Sequence, residues 1–193
     1  MTGKTTNRTT TERTTKPGRA ILAVGALLLA AAAATAQPPG PPSLAPMQRL
    51  DFLVGTWEGE GWMEFEPGRR ATFTSKEIVE PRLGGRVLVV EGLHHAPMPG
   101  KPEPVLVHHA MGVFSHHEGD AYRFHTWLAN GHGGEHAARL EDGALIWGYD
   151  DPRRGEVRYT ITLSESGEWF EVGDSSKDGE TWTRFFEMKL AKR

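Results

Sequence analysis

Histidine is the residue type through which this chain could do chemistry. The sequence contains nine histidines, and imidazole nitrogens are the commonest protein ligands for zinc, copper and haem iron. They are His94, His95, His108, His109, His116, His117, His125, His132 and His136. Three adjacent pairs lie in or beside segments with a strand pattern. Since neighbouring side chains of a strand point to opposite faces, one member of each pair is expected to face inward.

The spacing of these histidines matches no known metal motif. His132-Gly-Gly-Glu-His136 lacks the helix that would bring both rings to one side. An interior metal or haem site and a set of solvated histidines therefore both stay open. The sequence predicts no cofactor and keeps haem or a divalent metal as the alternative.

A second group of polar residues alternates along one predicted strand. Arg123, His125 and Trp127 share one face and would offer a cation, a titratable ring and a stacking surface to a polar-headed ligand. The opposite face carries Tyr122, Phe124, Thr126 and Leu128. Alternation alone leaves open which set faces inward, although the second set is the better core.

No recognised catalytic motif accompanies these residues. Glu135, His136 and Asp150-Asp151 could form an acid–base pair, but nothing fixes the distance between them. The sequence contains no Gly-x-Ser-x-Gly elbow, phosphate loop or dinucleotide fingerprint. An enzyme is therefore an alternative without a supporting motif.

Turn residues divide the chain into short strands that would position these side chains. Asn130-Gly131, Asp142-Gly143 and Ser166-Gly167 are examples of the turns. About ten strands without helix-period segments between them predict an all-β fold, a single antiparallel up-and-down barrel. Closure into a barrel leaves no exposed sheet edge. The longest connection, 95–103, is predicted to be a lid or rim loop.

The first and last strands show which residues should face inward. Glutamates occupy the face of the first strand opposite Trp57 and Met63, so that face is predicted to be solvated. In the last strand Trp182, Arg184 and Phe186 share a face, together with a methionine, and this face is predicted to point inward.

Four segments resemble known barrels. The stretch Leu50 to Trp62, LDFLVGTWEGEGW, is similar to the Gly-x-Trp opening of lipocalin-like (calycin) β-barrels. With segments 85–92, 157–162 and 181–188, it resembles a family of secreted bacterial proteins catalogued as a conserved domain of unknown function. The opening motif is more distantly similar to that of nitrobindins, which are haem-binding barrels of ten strands.

This resemblance implies a short helical turn that plugs one end of the barrel, with Trp57 sealing the floor. In lipocalin-like barrels that tryptophan packs under an arginine of the last strand, and Arg184 is the candidate here. Nitrobindins bind haem through a histidine late in the chain, whereas the last histidine of this sequence is His136.

The N-terminal region has the sequence pattern of an export signal. Residues 1–36 combine basic residues, an apolar run and a small-x-small site before Gln37, which predicts a signal peptide cleaved near Ala36-Gln37. Residues 37–49 form a proline-rich linker, and 50–193 form the barrel domain. The mature protein is expected to be periplasmic or extracellular, without a stable membrane anchor.

Composition excludes several functions. The formal charge is −3 and no basic cluster follows the signal region, so nucleic acid is not expected as a partner. The chain has no cysteine, which rules out disulfides, thiolate chemistry and cysteine-bound metal. Oligomeric state is left open.

The sequence therefore predicts an exported protein that holds a small, largely apolar ligand in a barrel cavity. The cavity candidates are Trp57, Met63, His109, Arg123, His125, Trp127, Tyr159, Trp182, Arg184 and Phe186. One alternative is an enzyme or a metal- or haem-binding redox protein that uses interior histidines. Another is an envelope protein that acts through its surface.

Overall fold

The structure is a computed structural model that describes residues 43–193. The predicted signal peptide and residues 37–42 of the predicted linker lie outside the described residues. Within 43–193, no helix combines the length and the apolar character needed to cross a bilayer.

Ten antiparallel strands close into one barrel, which confirms the predicted fold. Each strand pairs with its neighbours in sequence, and the first and last strands pair with each other to complete the closure. The strands are β1 (Gly55–Glu66), β2 (Arg69–Arg82), β3 (Val87–Ala96), β4 (Val105–Glu118), β5 (Ala121–Leu128), β6 (Gly133–Glu141), β7 (Ala144–Asp151), β8 (Gly155–Leu163), β9 (Trp169–Ser176) and β10 (Thr183–Lys192).

A short helical segment plugs one end of the barrel, as the sequence predicts. Helix α1 (Ala45–Gln48) is followed by a 3-10 turn (Asp51–Leu53). Met47 of α1 is buried in the barrel core. The barrel removes this apolar side chain from water, and the hydroxyl of Tyr122 donates a hydrogen bond of 2.7 Å to the carbonyl of Pro46, so that α1 is held at the end of the barrel.

Trp57 forms the floor of the barrel next to this plug, as predicted. Its side chain is 1% exposed. The indole N–H donates a hydrogen bond of 2.7 Å to the Leu53 carbonyl, and the ring meets Trp169 edge-on at 5.8 Å. The cation over the indole is Lys192, with Nζ 5.1 Å from the ring centroid, and not the predicted Arg184.

Arg184 points out of the barrel because a β-bulge interrupts the alternation of β10. The register shifts between Arg184 and Phe186, so that Phe185 and Phe186 are both buried. The Arg184 guanidinium contacts Asp174 at 3.1 Å and its side chain is 41% exposed. The prediction that Arg184 faces inward is therefore wrong.

The same β-bulge between Arg184 and Phe186 also places Trp182 on the outer side of the barrel. It precedes the first residue of β10 and packs under the guanidinium of Arg158, 3.8 Å from the ring centroid. Arg158 lies between Val157 and Tyr159, which are both buried, so it faces outward. Trp182 therefore covers the outside of the barrel, which corrects its predicted interior position.

We expect Arg184→Ala to lower the free energy of unfolding by less than about 1 kcal/mol, because exposed ion pairs contribute little. Thermal melting followed by circular dichroism measures the change. A loss as large as that of a core substitution would contradict the outward placement.

Candidate functional site

The barrel encloses a cavity of about 420 Å³ between the plug and the open end. Most of its wall is aromatic or aliphatic. The aromatic side chains that line it are Phe114, Phe124, Trp147, Tyr149, Tyr159, Trp169 and Phe186. This volume lies within the size range of small-molecule binding sites, which are mostly apolar with a few polar groups.

Stacked rings give the cavity a continuous wall across β4, β5, β7 and β8. Phe114 and Phe124 stack at 3.8 Å between centroids, and Trp147 and Tyr159 stack at 4.5 Å. Phe124 meets Trp147 edge-on at 4.9 Å. Gly112 makes room for this packing, because a Cβ there would lie 2.3 Å from the Phe124 ring. Such ring pairs add stability beyond the area they bury.

Two carboxyl groups lie deep in the cavity near the floor. Glu77 of β2 is paired with Trp57 in the sheet register. Glu171 of β9 accepts a hydrogen bond of 3.1 Å from the indole N–H of Trp169. Gly92 leaves space for the Glu77 carboxyl, since a Cβ there would lie 2.7 Å from Oε2.

Burial favours the neutral form of both carboxyls. Loss of solvation raises the pKa of Glu77 to about 8, against a smaller opposing effect of the hydrogen bond from Ser75. Loss of solvation, followed by the charge of Glu77, raises the pKa of Glu171 to about 8. At neutral pH the floor of the empty cavity is therefore mostly protonated and carries little charge.

Two inward histidines stand above Glu77 on the side of the open end. His94 of β3 lies with Nε2 3.2 Å from Oε1 of Glu77, and its ring is 4.8 Å from that of His108 of β4. Phe73 stacks on His94 at 4.5 Å. Burial lowers the pKa of His94 and of His108 to about 4, so both rings are neutral at neutral pH.

A third inward histidine lies on β6 near the opposite wall. His136 Nε2 is 3.0 Å from the hydroxyl of Thr126, and its ring packs against Trp147 at 5.5 Å. Burial, followed by the charge of His125, lowers the pKa of His136. These neutral side chains can donate or accept hydrogen bonds to a ligand.

Arg154 reaches over the open end of the barrel. Its guanidinium donates hydrogen bonds to the carbonyls of Glu64 and Phe65 at the end of β1. It also lies 4.5 Å above the ring of Phe185. The connection between β7 and β8 is thereby tied across the rim to β1.

The predicted cavity residues divide into three groups. Tyr159 and Phe186 line the cavity. Trp57 lies in the floor, and Met63 is half-buried against the core. Contact of these residues with a ligand stays a prediction.

Six predicted cavity residues face outward instead: His109, Arg123, His125 and Trp127, in addition to Trp182 and Arg184. His109 pairs with Glu91 at 2.7 Å, and His125 pairs with Glu135 at 2.8 Å. They face out because the alternate positions carry the bulky apolar residues that fill the barrel. On β5 these are Tyr122 and Phe124, which are both buried in the core.

Sequence reasoning missed the two buried carboxyls. Glu77 alternates inward between Ser75 and Val79. Glu171 follows Trp169 by two positions and therefore shares its face. An acidic residue within an inward set that is otherwise uncharged was the signal that could have identified each of them.

Metal or haem ligation is the alternative use of the interior histidines. Among residues 43–193, no group of three or more histidine, cysteine or acidic side chains is arranged to hold a metal ion. Strands β8, β9 and β10 contain no histidine, so the late-chain haem ligand implied by the nitrobindin resemblance does not fit this chain.

Comparisons with known proteins agree with the architecture. No protein-family model matches the chain, and no curated protein matches it in sequence. Among solved structures, the chain is similar to the crystal structure of Rv2717c from M. tuberculosis, with a TM-score of 0.57 and 13% sequence identity. The match covers 77% of this chain and 97% of that one. The similarity shows the barrel fold alone.

Proposed function

We propose that this barrel is an exported binding protein that holds a small, largely apolar molecule in its interior cavity. The observation that carries the proposal is the cavity of about 420 Å³ with an aromatic wall. A fully packed barrel would leave no such space, and closed barrels of this kind can hold one small ligand. The buried carboxyls and the neutral histidines supply the few polar groups that would orient a ligand.

The ligand would enter at the open end. The plugged end is closed by α1, Leu53 and Trp57, which are packed against the core. At the opposite end, Tyr149 is 37% exposed while it also lines the cavity, so the cavity wall continues to the surface there.

Titration with N-phenyl-1-naphthylamine tests this proposal, because this uncharged fluorophore brightens in apolar sites. We expect saturable binding with one site per chain. Ala110→Trp is expected to weaken binding at least tenfold, because residue 110 lines the cavity and the indole would fill it.

Val107→Trp is the matched control on the same strand. Val107 is 49% exposed, so the added indole would stay outside the cavity and leave the affinity unchanged. Circular dichroism spectra confirm that both variants fold. Equal affinity in the two variants, or no saturable binding to the unmodified protein, would contradict the proposal.

A further inference from the structure

The two carboxyls at the cavity floor are the feature that the proposed function leaves unexplained. Glu77 is 6% exposed and Glu171 is 8% exposed, and both line the cavity. They come from β2 and β9, and the charge of Glu77 acts on Glu171. An apolar ligand alone would require neither group.

Each carboxyl has one oxygen left for a ligand. Oε1 of Glu77 contacts the Ser75 hydroxyl at 3.1 Å and Nε2 of His94 at 3.2 Å. Oε2 of Glu171 accepts the Trp169 indole N–H. The other two oxygens, Oε2 of Glu77 and Oε1 of Glu171, form no hydrogen bond with the residues that the structure describes. Two carboxyls more than nine-tenths buried thus present free oxygens inside a cavity.

No side chain of the cavity wall compensates a negative charge at this place. The wall, within 43–193, contains neither lysine nor arginine. The basic groups that face the carboxyls from β3 and β4 are His94 and His108, which burial keeps neutral. From β8, Tyr159 is also held in its neutral form by burial. Arg154 lies at the open end.

A buried carboxyl is unfavourable unless it is protonated or paired with a positive charge. Without a ligand, protonation keeps the two carboxyls neutral. A ligand with an ammonium group could replace that proton, and the aromatic side chains around it would add cation–π attraction. Trp147, Tyr159 and Phe186 are the rings of the wall available for this.

We propose that the ligand is a small primary amine with an aromatic or aliphatic body, whose ammonium group binds to Glu77 and Glu171. The inference rests on the proposed function, since it assigns the chemical class of the ligand in the same cavity. The amine enters in its protonated form, and one of the two carboxyls releases its proton to the solvent. The other carboxyl keeps its proton and donates a hydrogen bond.

Isothermal titration calorimetry with three matched probes tests this assignment at pH 7. The probes are 2-phenylethylamine, 2-phenylethanol and phenylacetate, which carry a positive, a neutral and a negative group on the same ring. We expect the amine to bind at least tenfold more tightly than the alcohol, and the carboxylate to show no binding. Binding of the amine is expected to release about one proton, measured from the difference between its binding enthalpies in phosphate and in HEPES buffer, neither of which contains a primary amine.

Two variants locate the effect at the floor. Glu171→Gln and Glu77→Gln are each expected to weaken amine binding at least tenfold and to leave binding of the alcohol unchanged. Glu91→Gln is the control, because Glu91 lies on the neighbouring strand β3 with a side chain that is 44% exposed and paired with His109. Glu91→Gln should change neither the affinity for the amine nor the affinity for the alcohol.

The outcomes separate the two proposals. If N-phenyl-1-naphthylamine binds but the amine has no advantage over the alcohol, the amine assignment is overturned and the binding function stands. Unchanged amine affinity in both glutamine variants would also overturn it. If neither the fluorophore nor any of the three probes binds, the proposed function itself is wrong.

Discussion

Replacement of Trp57 by alanine is expected to lower the free energy of unfolding by about 3–5 kcal/mol, the range for loss of a large aromatic side chain from a core. The indole is 1% exposed and contacts both Leu53 of the plug and Trp169 of β9. Its removal would leave a cavity at the floor and an unpaired carbonyl at Leu53. Urea unfolding monitored by circular dichroism measures the loss.

Trp127→Ala is the matched control for this substitution. Trp127 is 48% exposed on the outer face of β5, so little buried surface is lost. We expect the free energy of unfolding to change by less than about 1 kcal/mol, as for most surface substitutions. Similar losses in the two variants would contradict the role of Trp57 as the floor of the barrel.

Replacement of Glu171 by glutamine is expected to stabilise the protein at neutral pH. Glutamine keeps the shape and the hydrogen-bond acceptor for Trp169 but cannot ionise. At pH 7 the Glu171 carboxyl is ionised in the unfolded chain, which lowers the free energy of the unfolded state. In the folded barrel, burial keeps the same carboxyl neutral. Glutamine is neutral in both states, so the variant loses this stabilisation of the unfolded state. We expect the free energy of unfolding to rise by on the order of 2 kcal/mol at pH 7. Glu77→Gln is expected to act in the same direction.

The pH dependence of the free energy of unfolding follows from the directions of the pKa shifts of the buried groups. The folded pKa of each carboxyl is raised from 4.5 to about 8. Between these values the folded state keeps a proton that the unfolded state has lost, so stability falls as pH rises. His94 and His108 act with the opposite sign, because their folded pKa values are lowered from 6.5 to about 4. His136, whose pKa is also lowered, acts in the same direction as these two histidines. The effect of all three fades as the unfolded imidazoles lose their protons above pH 6.5, so the carboxyls have the larger effect between pH 6.5 and 8.

Urea unfolding at pH 6.5 and pH 8 measures this dependence. The unmodified protein is expected to lose stability across the interval, and Glu171→Gln to lose clearly less. Glu91→Gln should follow the unmodified protein, because Glu91 lies on the outer surface. Parallel pH profiles for Glu171→Gln and the unmodified protein would show that this carboxyl is ionised inside the barrel. A stabilising substitution at a buried polar position is the pattern expected where function opposes stability.

The fold could be predicted because its signals are local. Turn pairs such as Asn130-Gly131 and Asp142-Gly143 separate strands whose alternation follows from backbone geometry. The inward position of Trp57 also follows locally, since the other face of β1 is acidic. The plug and the ten strands are consequently where the sequence predicts them.

The site could be predicted only in part, since its geometry depends on irregularities and on distant strands. The β-bulge of β10 turns Arg184 outward, although simple alternation would place it on the same face as the inward Phe186. Glu77 and Glu171 are far apart in sequence and line one cavity only after the barrel closes. The choice between the two faces of β4 and β5 likewise depends on which side chains fill the barrel, and no local pattern decides that.

Intermolecular nuclear Overhauser effects between a bound probe and labelled methyl groups would show whether the ligand lies inside the barrel. N-phenyl-1-naphthylamine would be added to protein with ¹³C-labelled alanine, valine, isoleucine and methionine methyls. Binding in the cavity predicts contacts from the aromatic protons to Ala110, Ile161 and Met188, which line it. Contacts to the exposed Val107 without these interior contacts would show that the molecule binds outside the barrel and would contradict the account.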